Sequence, residues 1–172
     1  MTMKGLSDIA NEYLRDFEIL QDARLQLEKE LADWWKVLVG EAVLPAMRQT
    51  TSSEIGVWDN QASPGYLQIH LKANTGVLLE ITDPRNNGTR AYSIRIETTN
   101  SAYRKIRADQ ILLSELENVA AKKANGTLFP SGRRIADVQV DIDGSDPEMT
   151  LDKVRDTAQI LFGMVEVIAK HI

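Results

Sequence analysis

The chain has 172 residues, with 20 lysines and arginines against 25 aspartates and glutamates, a formal net charge of −5 and no cysteine. A length in this range suits a single domain, which buries enough surface to fold without disulfides or zinc. The lack of cysteine excludes disulfide frameworks, thiolate metal sites, iron–sulfur clusters and cysteine nucleophiles, and the net negative charge disfavours duplex nucleic acid as a partner.

Apolar residues recur at seven-residue intervals in two rows near the N-terminus. The rows are Leu6, Tyr13, Leu20, Leu27 and Trp34, and Met3, Ala10, Phe17, Arg24, Leu31 and Leu38. They predict one long helix with a coiled-coil-like seam over residues 1–46, ending near Val43 and Pro45. At 1.5 Å per residue this helix would span about 60 Å, whereas a compact domain of this size has a radius of gyration of roughly 15 Å. We therefore expect the helix either to kink near Gly40 or to project as a dimerisation element.

The seam is the strongest candidate for a functional surface. Trp34 and Trp35 are adjacent, so they point about 100° apart on a helix and cannot both share the stripe. Aromatic residues are enriched where proteins dock, and Arg24 within an apolar row would restrict the register of pairing. The predicted interface residues are Leu20, Leu27, Leu31, Trp34 and Trp35. The alternative interpretation is that the stripe only covers the sheet of its own chain.

Alternation of apolar and polar residues predicts three strands between residues 65 and 98, joined by turn-forming segments at 74–76 and 83–88. The apolar positions are Leu67, Ile69, Leu71, Val77, Leu79, Ile81, Tyr92, Ile94 and Ile96. Connections this short make an antiparallel meander with one solvated face. Residues 54–58 would add a strand before it.

The rest of the chain alternates between helix and strand. Residues 101–124 indicate a helix broken near Asp109 and stopped by residues 125–126. A loop at 127–132 precedes a strand that begins at residue 135 or 136 and ends at 142, and Asp146 followed by a proline opens the final helix. The predicted fold is one α+β domain over residues 1–172. It is an antiparallel meander sheet of four or five strands with a long N-terminal helix, a middle helix and a C-terminal helix packed on one face.

The segment that starts with the last predicted strand is rich in acidic residues. Strand alternation would place Asp137, Asp141 and Asp143 on one face, close to Asp146 and Glu148. Hard cations such as Mg²⁺ prefer clustered carboxylates, and two bound metals can drive phosphoryl chemistry. The three aspartates are therefore the candidate metal ligands of an alternative hypothesis, a metal-dependent hydrolase or nuclease. The competing interpretation is a solvated strand followed by a turn and a helix N-cap.

The solvated face of the meander carries a second polar group, made of Gln68, His70, Lys72, Glu80, Thr82, Arg95 and Glu97. An acid followed on the next strand by Glu-x-Lys would indicate a restriction-like nuclease core, but no position supplies Glu-x-Lys. The G-x-S-x-G turn and the glycine-rich phosphate loops are also missing. We therefore predict no catalytic residue and no cofactor, and we interpret this face as ordinary cross-strand pairing.

Together these patterns favour a non-enzymatic protein-binding protein that acts as a homodimer or docks a protein partner through the long helix. In the order of its elements alone, the chain resembles the dimeric chaperones of type III secretion systems, which implies a chaperone- or inhibitor-like role. No apolar run is long enough to span a membrane, and the first residues lack the apolar stretch of a signal peptide. We therefore expect a cytoplasmic protein with no membrane partner.

Overall fold

The computed structural model describes residues 8–59, 65–123, 127–128 and 133–172. Its helices are α1 (Asp8–Val37), α2 (Leu44–Thr50), α3 (Pro84–Asn87), α4 (Asn100–Ala108), α5 (Gln110–Lys123) and α6 (Pro147–His171). Its strands are β1 (Ile55–Asp59), β2 (Tyr66–Leu71), β3 (Asn74–Thr82), β4 (Ala91–Thr98), β5 (Thr127–Leu128) and β6 (Arg134–Asp141). The predicted α+β architecture is confirmed, with its long N-terminal helix, antiparallel sheet, middle helices and C-terminal helix.

The strands form one antiparallel sheet in the order β1-β2-β3-β4-β6-β5. The first four strands are a meander, β6 pairs with β4, and β5 is a two-residue edge strand on β6. Leu67 pairs with Ile81, which also pairs with Ile94, so apolar side chains of neighbouring strands align on one face. Glu80 pairs with Arg95 on the opposite face. The predicted alternation therefore holds across the meander. The turn predicted at residues 74–76 is wrong, because the chain turns at residues 72–73 and Asn74 already pairs with Leu71 at the start of β3.

Helix α6 covers the apolar face of the sheet. Its buried stripe, each member at most 1% exposed, is Val154, Ala158, Leu161, Phe162, Val165 and Ile168. Burial of a large apolar side chain stabilises the folded state by about 2 kcal/mol, so this stripe and the facing strands form the core. The predicted start of the helix is confirmed, because Asp146 Oδ1 accepts a hydrogen bond from the Met149 N–H at 2.9 Å and Pro147 occupies the first turn.

The N-terminal helix passes into the domain through a π-helical segment, Leu38–Val43. Leu38 and Val43 are fully buried, so this segment anchors the helix in the core. The segment contains Gly40, the position predicted for a kink. The prediction that the helix ends near Val43 and Pro45 is wrong, because the chain stays helical through α2 as far as Thr50.

A proline accounts for the wider turn at this place. Pro45 has no N–H, and in a regular α-helix its ring would clash with the carbonyl group of Glu41. Immediately before it, the Leu44 N–H bonds to the carbonyl oxygen of Val39, five residues back, as in a π-helix. The sequence therefore lengthens one turn at the proline and continues as helix beyond it.

The predicted turn at residues 83–88 contains a short helix, α3. Asp83 caps it, since its Oδ1 accepts a hydrogen bond from the Arg85 N–H at 3.0 Å. Gly88 ends it in the left-handed region with a φ of 67°, a conformation that glycine adopts without steric cost. The turn predicted at residues 83–88 is therefore confirmed, and its central residues form one helical turn.

The break predicted near Asp109 is confirmed, because this residue separates α4 from α5. Asp109 Oδ1 accepts a hydrogen bond from the Leu112 N–H at 3.0 Å and caps α5. The predicted stop at residues 125–126 lies outside the described residues. The loop predicted at 127–132 is wrong at its first two residues, which form β5, and residues 129–132 lie outside the described part of the chain.

Candidate functional site

The first part of α1 stands clear of the domain. From Ile9 to Leu27 every side chain is exposed except half-buried Ala10, and residues 9–27 are called the arm below. The large apolar side chains exposed on the arm are Ile9, Tyr13, Leu14, Phe17, Ile19, Leu20, Leu25 and Leu27. At 1.5 Å per residue the arm is about 28 Å long. Apolar surface of this extent on one element is typical of sites of association.

The seam predicted from the heptad rows divides at the base of the arm. Leu20 and Leu27 are 68% and 55% exposed, and Trp34 is half-buried. Leu31 and Trp35 are each only 5% exposed and belong to the core of their own chain. These last two residues lie within two turns of the π-helical segment, where the helix enters the domain. Of the predicted interface residues, Leu20, Leu27 and Trp34 therefore remain available to another molecule.

Charge is distributed unevenly along α1. Residues 8–22 carry five acids and one base, whereas residues 23–37 carry three of each. Arg24, the charged member of the seam, donates a hydrogen bond from Nε to Glu28 Oε1 at 2.9 Å, and its side chain is 71% exposed. The outer half of the helix is thus acidic, and the half next to the domain is neutral.

An apolar pocket of about 250 Å³ lies where the arm meets the domain. Its lining residues are Leu27, Glu30, Leu31, Trp34, Pro84, Thr89, Arg90, Ile142 and Gly144. The helix supplies one wall, and the α3 turn and the segment after β6 supply the other. We call it the base pocket. Sequence reasoning missed it, because Pro84 and Ile142 are distant from the helix in sequence and no local pattern joins them.

The polar face of the sheet is held together by its own side chains. Glu80 is only 7% exposed, and it accepts hydrogen bonds from the Tyr66 hydroxyl and, at 3.2 Å, from Gln68 Nε2. Arg95 Nε lies 3.4 Å from Glu80 Oε1. Burial, and then the hydrogen bond to Glu80, raise the pKa of the Tyr66 hydroxyl above its usual value. The face predicted to be simply solvated therefore contains a buried carboxylate that is paired.

The neighbouring part of the same face is paired as well. Arg134 donates from Nε to Glu97 Oε1 at 2.8 Å, and its Nη1 lies 3.4 Å from Asp137 Oδ2. Gln139 donates to Asp137 Oδ1 at 2.9 Å, and the buried Ser93 hydroxyl accepts from Gln139 Nε2 at 3.0 Å and donates to Asp137 Oδ1 at 3.4 Å. Two open grooves of about 430 and 470 Å³ cross this face. The arginines that the grooves share are already engaged with carboxylates, so the face behaves as a closed layer of cross-strand pairs.

The candidate metal ligands are only partly brought together. Asp137 and Asp141 lie on one face of β6, as alternation requires, but Asp137 is engaged with Arg134 and Asp141 is exposed at the end of the strand. Asp143 lies in the following turn, where hydrogen bonds from the Ser145 side chain and N–H lower the pKa of its carboxyl group. Within the described residues no three acidic or histidine side chains are placed to hold a metal ion. The hydrolase or nuclease hypothesis stays a prediction that no contact supports.

Within the described ranges, no helix combines the length and apolarity needed to cross a membrane. Comparison of the chain with protein-family models, with curated proteins and with solved structures finds no match.

Proposed function

We propose that this chain is a protein-binding protein that acts as a homodimer, and that the arm is its association surface. One observation carries the proposal: the apolar seam of α1 begins exposed on the arm and becomes buried only from Leu31 onward. A single domain has covered the inner end of a continuous stripe and left the outer end uncovered. Aromatic side chains such as Tyr13 and Trp34 are enriched at protein interfaces and often carry a large share of the binding free energy.

The energetics of an isolated helix support the same conclusion. A helix gains most of its stability from packing its apolar face, and short helices without such packing are marginal in water. The arm receives no such packing from the described part of its own chain, because its side chains from residue 11 to residue 27 are exposed. Pairing with another helix along Tyr13, Phe17, Leu20 and Leu27 would bury the seam and stabilise the arm as a helix.

The experiment that tests the proposal is a molar-mass measurement by light scattering over a range of protein concentrations. We expect about twice the chain mass of 19.3 kDa at micromolar concentration, falling toward the chain mass on dilution. The matched control is the same measurement on a double variant, Phe17→Ser with Leu20→Ser, whose side chains are exposed on the arm and lie outside the core. A wild-type protein that has the monomer mass up to high micromolar concentration would refute the proposal.

A further inference from the structure

We infer that the partner of the arm is the arm of a second copy running antiparallel, with Phe17 opposite the partner's Leu20, so that the tip of each arm reaches the base pocket of the other. This inference rests on the proposed function, because it presupposes that the arm associates. In this register the residue numbers of two opposed positions add up to 37. Ala10 therefore lies opposite the partner's Leu27, and Tyr13 lies opposite the partner's Arg24. The same two contacts occur again with the copies exchanged. The contact is symmetric, as in a two-fold dimer.

Charge favours the antiparallel direction. In a parallel pair the acidic segments 8–22, each with five acids and one base, would lie side by side and repel each other along their length. In the antiparallel register each segment 8–22 lies against the partner's residues 15–29, which carry four acids and three bases, so the repulsion between the two helices is weaker. Asp8 lies opposite the partner's Lys29, and the partner's base pocket presents Arg90 beside Glu30, so the acidic tip has positive charge next to it.

The single charged residue of the seam favours the same direction. In a parallel pair with aligned heptads, Arg24 would face the partner's Arg24, which places two guanidinium groups together in the seam. In the antiparallel register it faces the partner's Tyr13, whose ring attracts a cation on its face. The remaining seam residues then pair with apolar partners, Phe17 with the partner's Leu20 and Ala10 with the partner's Leu27.

The shapes of the two ends of the arm agree with this arrangement. Ile9 at the tip is 79% exposed, the largest exposed fraction among the large apolar side chains described. The base pocket is apolar and empty of side chains from its own chain, and it includes Leu27 in its wall. Tip and pocket are about 27 Å apart along one helix, so a chain cannot fill its own pocket with its own tip. An antiparallel partner brings its Ala10 to Leu27 and its tip to the pocket.

The test introduces single cysteines into the arm. Because the natural chain has no cysteine, any disulfide that forms reports a contact between the introduced residues alone. The variants are Tyr13→Cys and Arg24→Cys, each alone and mixed in equal amounts under mild oxidation. Their side chains are exposed on the arm, so both variants are expected to fold. We expect at least about tenfold more disulfide-linked dimer in the mixture than in either variant alone, because a disulfide requires Cβ atoms within about 4.5 Å. In the antiparallel register the two copies of residue 24 are about 16 Å apart along the axis.

The matched control is Arg15→Cys mixed with Arg24→Cys, since residue 15 points away from the seam, and it should give only the background amount. Self-linking of Arg24→Cys as strong as in the mixture would establish a parallel pair and overturn the inference, while the proposed function would survive. A dimer mass by light scattering with only background cross-linking in every sample would also overturn it. A monomer mass in the same samples would refute the proposed function itself, and the inference with it.

Discussion

A single aspartate in the seam should separate the two copies without unfolding either. Leu20 is 68% exposed in the single chain, so its substitution costs the fold little. Full burial of a leucine side chain is worth about 1.5–3 kcal/mol, and two-thirds of that is about 1–2 kcal/mol per copy. Because a homodimer contains the residue twice, Leu20→Asp should weaken association by about 2–4 kcal/mol, which is roughly a hundredfold increase in the dimer dissociation constant.

The neighbouring Ile19 provides the matched control, since it is 57% exposed and lies one residue away but about 100° around the helix. Ile19→Asp carries the same change in charge, so it should leave the dissociation constant within about threefold of the wild-type value, as a surface substitution away from the contact does. Sedimentation equilibrium of the three proteins measures the constants, and circular dichroism checks the fold. Equal weakening by both variants would refute the seam as the contact, because the effect would then follow charge and not position.

Three further predictions concern stability, each measured by urea unfolding. Tyr92→Phe should raise the free energy of unfolding by about 1 kcal/mol, because the buried Tyr92 hydroxyl has no hydrogen-bond partner among the described residues. Tyr66→Phe should lower the free energy of unfolding by about 1 kcal/mol, because it removes a hydrogen bond to a carboxylate. Gly88→Ala should lower the free energy of unfolding by about 1 kcal/mol, because its φ is 67°. Gly65→Ala should lower it by at least about twice as much, because its φ is 89° and a Cβ would also lie 2.2 Å from a buried carboxylate oxygen. Equal losses for the two variants would contradict the steric argument. A backbone hydrogen bond from the N–H of residue 112 lowers the pKa of Asp109 in the folded protein. The ionised carboxylate therefore contributes its full stability above the unfolded-state pKa near 3.8, and this stability is lost as the pH falls through the lower folded-state pKa. Asp109→Asn should therefore lose less stability than the wild type on acidification from pH 6 to about pH 3, and parallel curves would contradict this assignment.

Local periodicity was sufficient to predict which face of the meander each strand residue occupies. The face on which a strand residue lies depends only on odd or even position, so alternation placed Leu67 and Ile81 in the core and Glu80 outside it. What alternation could not predict is that Glu80 is buried on its own face. That burial depends on Tyr66 and Arg95, which reach it from the two adjacent strands through the pairing register.

The long helix shows the same limit. Its heptad rows predicted a long helix with an apolar stripe, because a pattern that continues for several turns is visible without tertiary information, but they left open whether the helix kinks or projects. The rows could not show where the stripe passes into the core, and so Leu31 and Trp35 were grouped with Leu20 and Leu27. The base pocket could not be predicted from the sequence for a related reason, because its two walls come from segments that only the folded chain brings together.

The π-helical segment sets the direction in which the arm leaves the domain. A π-turn accommodates one residue more than an α-helical turn, so the segment before Pro45 takes up one residue without turning the face of the helix beyond it. In the regular part of α1, by contrast, one added residue rotates everything beyond it by about 100° about the axis and shifts it by about 1.5 Å. A one-residue insertion between Leu27 and Leu31 would therefore point the exposed stripe in another direction, and change which surfaces of two copies can face each other, while the sheet and α6 stay as they are.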